Sequence, residues 1–397
     1  MTGLLVVGGI YRERCVWPEW KRTMGSAGRA AIAVAGFGHP VRLIGYAAPE
    51  VATEFEAEAQ ADDIGFQPIR AAHPILFDYV HGLSIPRVVP DPIVINREAP
   101  IEVAGDVVLR FGMLEGTALV DAGTCVYDPQ SAYIPERFRA NGSKASRLAI
   151  VANRGEVCAL GGEQEPIAAA RKLMQIEAAE VVVVKSGSRG AIVVTSGGEV
   201  TVPAYQTRHV WPVGSGDVFA AAFAEWWGVQ GLAPEDAAGL ASRATADYVE
   251  SSALPINPAL RSKPEHRPEA LGHKMRVYLA GPFFSIAQRW LVDDVRRCLR
   301  EMGMDVFSPV HDVGRGPAQD VAPKDIQALR ECDVVFALVD GLDSGTIFEA
   351  GFARALGKPV YCLSQAVGEE DLKMLVGTEC RIHSDLVTAL HHLHWRA

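Results

Sequence analysis

The sequence predicts two α/β domains, each built on a parallel sheet, and three observations carry that reading. Short apolar, β-branched runs alternate with longer helical runs along the whole chain. The alternation breaks once, over Ser251–Lys274, where Pro255, Pro258, Pro264 and Pro268 occur without apolar periodicity. On each side of that break, one strand-to-helix turn combines glycine with carboxylates. At 397 residues the chain is long for one domain and comfortable for two. The expected division is a first domain over 1–252, a Pro-rich linker over 253–274 and a second domain over 275–397.

Composition narrows the class. With 49% hydrophobic and 22% charged residues, the chain has ample core for a globular protein. A formal charge of −10 and the lack of any Lys/Arg cluster argue against a nucleic-acid surface. Leu4-Leu-Val-Val-Gly-Gly has no basic lead and reads as an opening strand, not a targeting segment. No apolar run approaches the roughly 18 residues needed to span a bilayer, so no membrane partner is expected. Seven scattered cysteines without metal or CxxC spacing read as reduced thiols in a cytoplasmic protein. His391, His392 and His394 lie on a terminal helix and are expected to be exposed, not metal ligands.

In chain order, the first half offers four pieces. Gly25-Ser-Ala-Gly28-Arg29 opens a helix with small residues that allow close approach of a ligand. Asn153-Arg-Gly-Glu156 follows the strand Leu148–Ala152, where its oxygens could hold a hydrated Mg²⁺. Lys185-Ser-Gly187-Ser-Arg-Gly190 is a turn between two β-branched strands. Val213-Gly214-Ser215-Gly216-Asp217 is a Gly-rich turn entering an apolar helix, where backbone N–H groups and the helix dipole cradle an anion. Asp217, at the helix start, is placed to take a proton from a hydroxyl, which suits phosphoryl transfer to an alcohol. Taken alone, this last turn is equally a glycine turn before an Asp-capped helix. A further helix is expected over Pro234–Glu250.

The second half opens with Arg276-Val-Tyr278-Leu-Ala-Gly281-Pro-Phe283-Phe284, a strand running into a Gly-Pro turn and a helix from about Ser285. Lys324-Asp325 begins a helical run that leads into the buried strand Val334–Val339. The turn Asp343-Ser-Gly345-Thr-Ile-Phe-Glu349 follows, with a helix expected from about Thr346 and Glu349 in its first turn. Ligands of open α/β sheets bind at such turns. A carboxylate held ionised by a helix N-terminus suits a glycosyl-transfer nucleophile, with a second carboxyl group to move protons. Spacing alone is equally compatible with acids that only cap and charge the helix.

In this order the pieces of residues 1–250 resemble the ribokinase-like (PfkB) family of carbohydrate and nucleoside kinases. The resemblance implies an α/β sandwich, ATP and Mg²⁺ as cofactors, and Asp217 as catalytic base. It implies that Gly214, Ser215 and Gly216 form the anion hole, with Lys185 and Gly187 also on the nucleotide side. Asn153 and Glu156 would serve metal and phosphate, and Gly25, Gly28 and Arg29 would border the acceptor. Trp211-Pro-Val213 stands where the family commonly has Asp-Thr-Thr, and Arg12, Arg14 and Arg29 suggest an anionic acceptor.

Residues 275–395 resemble the nucleoside 2-deoxyribosyltransferases, which implies a Rossmann-like parallel sheet and no cofactor. By that resemblance Glu349 takes the sugar C1′, Asp343 and Asp325 handle the base, and Tyr278 orients Glu349. Gly281, Phe283, Phe284 and Gly345 would line the substrate pocket. Asp371-Leu-Lys-Met374 lacks the Asn that some members lend to a neighbouring subunit's pocket. The combined expectation is a cytoplasmic, homo-oligomeric, bifunctional enzyme acting on nucleosides or sugars. Its alternative is an N-glycoside hydrolase whose first domain only senses a ligand or oligomerises.

Overall fold

The computed structural model describes residues 3–130, 135–262, 269–270 and 274–396. It divides into two compact units, Met1–Ala270 and Leu271–Ala397. Part of the expected linker belongs to the first unit. Ile256 and Leu260 are buried, Ile256 N–H donates to Ala33 O at 2.9 Å, and Glu269–Ala270 pairs with Ala204–Tyr205. Pro255 and Pro258 lie in a segment that packs on the core. Residues 263–268 and 271–273 of that stretch, with Pro264 and Pro268, lie outside the described residues.

The first unit is built on a nine-stranded sheet. From one edge the strands are Gly198–Val202, Ala191–Thr195, Val181–Lys185, Lys144–Asn153, Ala118–Asp128, Ile101–Phe111, Leu4–Val7, Val41–Ala47 and Ile64–Arg70. Seven of these, from Val181–Lys185 to Ile64–Arg70, pair in parallel, and Ala191–Thr195 runs antiparallel to both its neighbours. Unbroken apolar strands such as Val181–Val184 serve both faces at once. Val181 and Val183 join the core under helices Gly25–Val34, Ser215–Phe223 and Pro234–Ser251. Val182 and Val184 join the core under Arg154–Gly161 and Pro166–Glu177. A second sheet of four strands, Trp20–Thr23, Arg12–Cys15, Leu76–Tyr79 and Arg87–Val89, completes the unit.

The second unit holds five parallel strands in the order Asp305–Phe307, Arg276–Ala280, Val334–Leu338, Val360–Leu363, Arg381–His383. In chain order this is 2-1-3-4-5, so the connection direction reverses between Arg276–Ala280 and Val334–Leu338. The crevice beyond the carboxyl ends of those two strands is where such a sheet binds its ligand. Helix Ile286–Glu301 follows the first strand, with Ser285 and Gln288 forming a reciprocal cap. Helix Ser344–Ala355 follows the other. The terminal helix Leu386–Trp395 corrects one expectation: His391 and His394 are buried, His391 Nδ1 donates to Val387 O at 2.8 Å, and its ring packs on Trp395. His394 sits between Leu393 and Trp395 and His391 follows Leu390, all of them buried, so the apolar residues of this helix carry both histidines inward. Among the described residues, no helix is long and apolar enough to cross a membrane.

Candidate functional sites

In the second unit, the strand and helix that flank the crevice bring Tyr278 and Glu349 together. Tyr278 is fully buried mid-strand, and its Oη donates to Glu349 Oε1 at 2.6 Å. Glu349 lies two residues deeper in the helix than expected, in its second turn, because the helix begins at Ser344, not Thr346. Asp343 is the N-cap: its Oδ2 accepts from Thr346 N at 2.8 Å and Thr346 Oγ1 at 2.9 Å. Gly345 keeps room for that cap, since a Cβ there would stand 3.2 Å from Asp343 Oδ2. In the second turn, Glu349 gains little from the helix dipole. Burial pushes its carboxyl up to about 7, the charges of Asp325 and Asp343 add to the rise, and the Tyr278 hydroxyl opposes it.

Asp325, on helix Ala318–Glu331, is near enough for its charge to act on both Tyr278 and Glu349. Its own carboxyl is raised by burial, and its Oδ1 is buried with no hydrogen-bond partner. Phe283 and Phe284 follow the Gly-Pro turn with ring centroids 5.7 Å apart, and Phe284 is exposed. Gly281 serves packing: a Cβ would crowd Leu338 at 3.1 Å and Val292 at 3.3 Å.

In the first unit, Gly214 turns the chain into helix Ser215–Phe223 at φ 81°, and Asp217 sits in the first helical turn. Arg29, 1% exposed, spans two carboxylates: its Nη1 donates to Asp217 Oδ2 at 2.6 Å and its Nη2 to Glu13. Gln130 Nε2 donates to the other Asp217 oxygen. The Arg29 guanidinium fills the space over Gly214, where a Cβ would meet Nε at 2.2 Å. At Gly25 the corresponding space is taken by Gly9 O and Tyr11 N. Arg12 and Arg14, which suggested an anionic acceptor, lie on a strand and are already paired. Arg12 Nε donates to Glu54 at 3.0 Å, and Arg14 binds both oxygens of Asp78 at 2.8 and 2.7 Å. An anion would have to displace a carboxylate at each of the three arginines.

Asn153 and Glu156 form a reciprocal cap on helix Arg154–Gly161: Asn153 Oδ1 accepts from Glu156 N at 2.9 Å, and Glu156 Oε2 from Asn153 N at 2.8 Å. Lys185 Nζ donates to Asp128 Oδ2. Gly187 has φ 55° and nothing within 4 Å of a Cβ position. Sequence reasoning missed Glu13, Asp128 and Gln130. Asp128-Pro-Gln130 closes an apolar strand with polar residues at its carboxyl end, which is a readable signal. Glu13 carries one too, since period-2 alternation turns it away from Arg12 and Arg14.

Comparison with known proteins matches this division. Residues 277–379 match the family model of nucleoside 2-deoxyribosyltransferase, and residues 144–256 that of pfkB family carbohydrate kinase. A Vibrio cholerae fructokinase, solved with fructose, ADP and calcium ion, aligns over 66% of this chain and 98% of its own, at 14% identity and TM-score 0.50. A putative ribokinase from Agrobacterium tumefaciens aligns over 62% and 91%, at 17% identity and TM-score 0.49. The fructokinase likeness shows the fold of the first unit. No curated protein matches this chain.

Proposed function

We propose that this chain, which joins a pfkB-type kinase domain to a nucleoside 2-deoxyribosyltransferase-like domain, cleaves or exchanges the N-glycosidic bond of a nucleoside through an ester on Glu349. The observation that carries the proposal is the 2.6 Å hydrogen bond from Tyr278 Oη to Glu349 Oε1 at the point where the sheet reverses. Tyr278 holds one oxygen, so the other attacks C1′ as the C1′–N bond breaks. The bond's electron pair stays with the base nitrogen, which takes a proton from a carboxyl group. Asp325, raised by burial and with an uncommitted oxygen, fits that task better than Asp343, whose Oδ2 caps the helix. An acceptor base or water then attacks C1′, returns its proton to Asp325 and frees Glu349. Mostly apolar groups at Leu279–Phe284 favour a 2′-deoxy sugar, since a buried unpaired hydroxyl costs about 1–3 kcal/mol. Nucleosides incubated with and without an acceptor base, with products read by mass spectrometry, test the proposal: loss of all cleavage in Glu349→Ala supports it.

For the N-terminal domain, the fold and Asp217 favour transfer of a phosphoryl group from ATP to a sugar or nucleoside hydroxyl. The hydroxyl would displace Arg29 or Gln130 from Asp217 and hand it its proton. Gly214–Gly216 and Lys185 would receive the donor's phosphates. The residues do not suit a protein-held Mg²⁺, because Asn153 and Glu156 spend oxygens on each other and Lys185 already neutralises Asp128. The clamp on Asp217 also favours a second reading, in which this domain binds a ligand without turnover. ATP consumption across a sugar and nucleoside panel separates the two. Seven free cysteines fit a reducing cytoplasm.

A further inference from the structure

The loop that carries Phe283 and Phe284 has little backbone support of its own. It leaves the carboxyl end of strand Arg276–Ala280, where the sheet reverses, and Pro282 has no N–H to donate. Among the described residues, no backbone–backbone hydrogen bond holds Pro282, Phe283 or Phe284. Side chains of the following helix hold them instead. Gln288 Oε1 accepts from Phe284 N at 3.0 Å and from Ser285 N at 3.0 Å, and Arg289 Nε donates to Phe283 O at 2.9 Å. Phe283 O and Phe284 N belong to one peptide unit, so its plane is gripped at both ends. Gln288 also caps the helix, whereas Arg289 has no such second task. It lies near the helix N-terminus, where the dipole disfavours a cation. Among the described residues it makes no ion pair and no other hydrogen bond.

We propose that Arg289 is a positioning residue for the nucleoside base, acting through the peptide that joins Phe283 to Phe284. The inference rests on the reading of this domain as one that acts on nucleosides. The two ring centroids are 5.7 Å apart with their planes tilted by 33°, and Phe284 is 73% exposed. Planar bases stack on aromatic faces presented in this way. Where those faces point depends on the backbone that carries them. Without Arg289 the peptide keeps only its Gln288 anchor, and the rings sample more orientations before a base arrives. Ordering them on binding then lowers affinity. Glu349 and Asp325 stand on other helices, Ser344–Ala355 and Ala318–Glu331, so the bond-breaking step is left largely alone. The loss therefore falls on KM more than on kcat.

Affinity of the full-length Glu349→Gln chain for the four common deoxynucleosides, by isothermal titration calorimetry, tests this without turnover. In that background Arg289→Met should weaken deoxynucleoside binding about fivefold, as expected for the loss of one hydrogen bond. Arg289→Lys keeps a donor and should stay within about twofold of its parent. In the active enzyme Arg289→Met should raise KM by about the same factor and change kcat by less than about twofold, a split that general damage to the fold does not produce. Unchanged affinity in Arg289→Met overturns the inference, and so does an equal loss in Arg289→Lys. Binding by Glu349→Gln without cleavage by wild type counts against the glycosyl ester alone, whereas failure to bind any of the four deoxynucleosides overturns both.

Discussion

Tyr278 Oη lies 2.6 Å from Glu349 Oε1, joining the middle of the first strand to the second turn of the helix after the third. Glu349 is otherwise held up by burial, so this hydroxyl is the main group that favours its ionised form.

Removing the hydroxyl should therefore raise the Glu349 pKa and loosen its orientation. Tyr278→Phe is expected to lower kcat at pH 7 about tenfold, or ~1.4 kcal/mol of barrier. The acidic limb of the kcat/KM profile, near pH 7 in wild type, should move upward. A pH–rate profile with one nucleoside reads both effects, and an unmoved limb would remove Tyr278 from the site.

The same burial makes Glu349 a stability cost with a defined pH window. Its carboxyl rises from an ordinary 4.5 to about 7 on folding. Between those values the folded protein binds the proton that the unfolded chain has released, so stability falls as pH rises through the window. The loss above pH 7 is about 3 kcal/mol. Glu349→Gln carries no charge to bury, so it should be more stable than wild type at pH 8 and about equal at pH 4.5. Urea unfolding of the C-terminal domain at the two pH values checks this.

Asp217→Asn should abolish phosphoryl transfer while leaving glycosyl cleavage unchanged. Arg29 would then keep only Glu13 as an anionic partner, and a half-paired buried guanidinium lowers stability by up to about 3 kcal/mol. ATP consumption, nucleoside cleavage and melting of the variant separate these effects. Phosphorylation at the wild-type rate would exclude Asp217 as the base.

Assembly is the fourth expectation. Phe284, Ile286, Trp290, Phe348, Met374 and Val376 are large apolar side chains left exposed in the second unit, Ile286 by 89%. Phe284 and Phe348 stand beside the candidate pocket and the nucleophile. A homodimer or larger assembly that covers them is expected at micromolar concentration. Light scattering that shows a fully active monomer would refute it.

Much of this arrangement was legible in the sequence, and the exceptions have physical causes. The apolar run Val334–Val339 and the turn after it located the crevice, because a strand buried on both faces has few other readings. The helix begins at Ser344, two residues before the expected start near Thr346, because Asp343 caps it by accepting from Thr346 N. That shift moves Glu349 from the dipole-stabilised first turn to the half-buried second turn. The Glu13–Arg29–Asp217 clamp was not legible, since pairing across 188 residues is set by tertiary packing. The pairing of Arg12 and Arg14 with Glu54 and Asp78 was not legible either, because the four-stranded sheet that orders them pairs segments far apart in sequence. Ile256 and Leu260 were hidden among prolines that suggested a linker.

The glycosyl ester is the central claim, and trapping it is the most direct test. Wild type incubated with a slow deoxynucleoside, then quenched in acid, digested and examined by mass spectrometry, should carry one deoxyribosyl mass on the peptide containing Glu349. The adduct should be absent from Glu349→Gln, which should also lose nearly all cleavage, because an amide cannot form the ester. Near-normal cleavage by the Gln variant, or an adduct on another residue, would contradict the account.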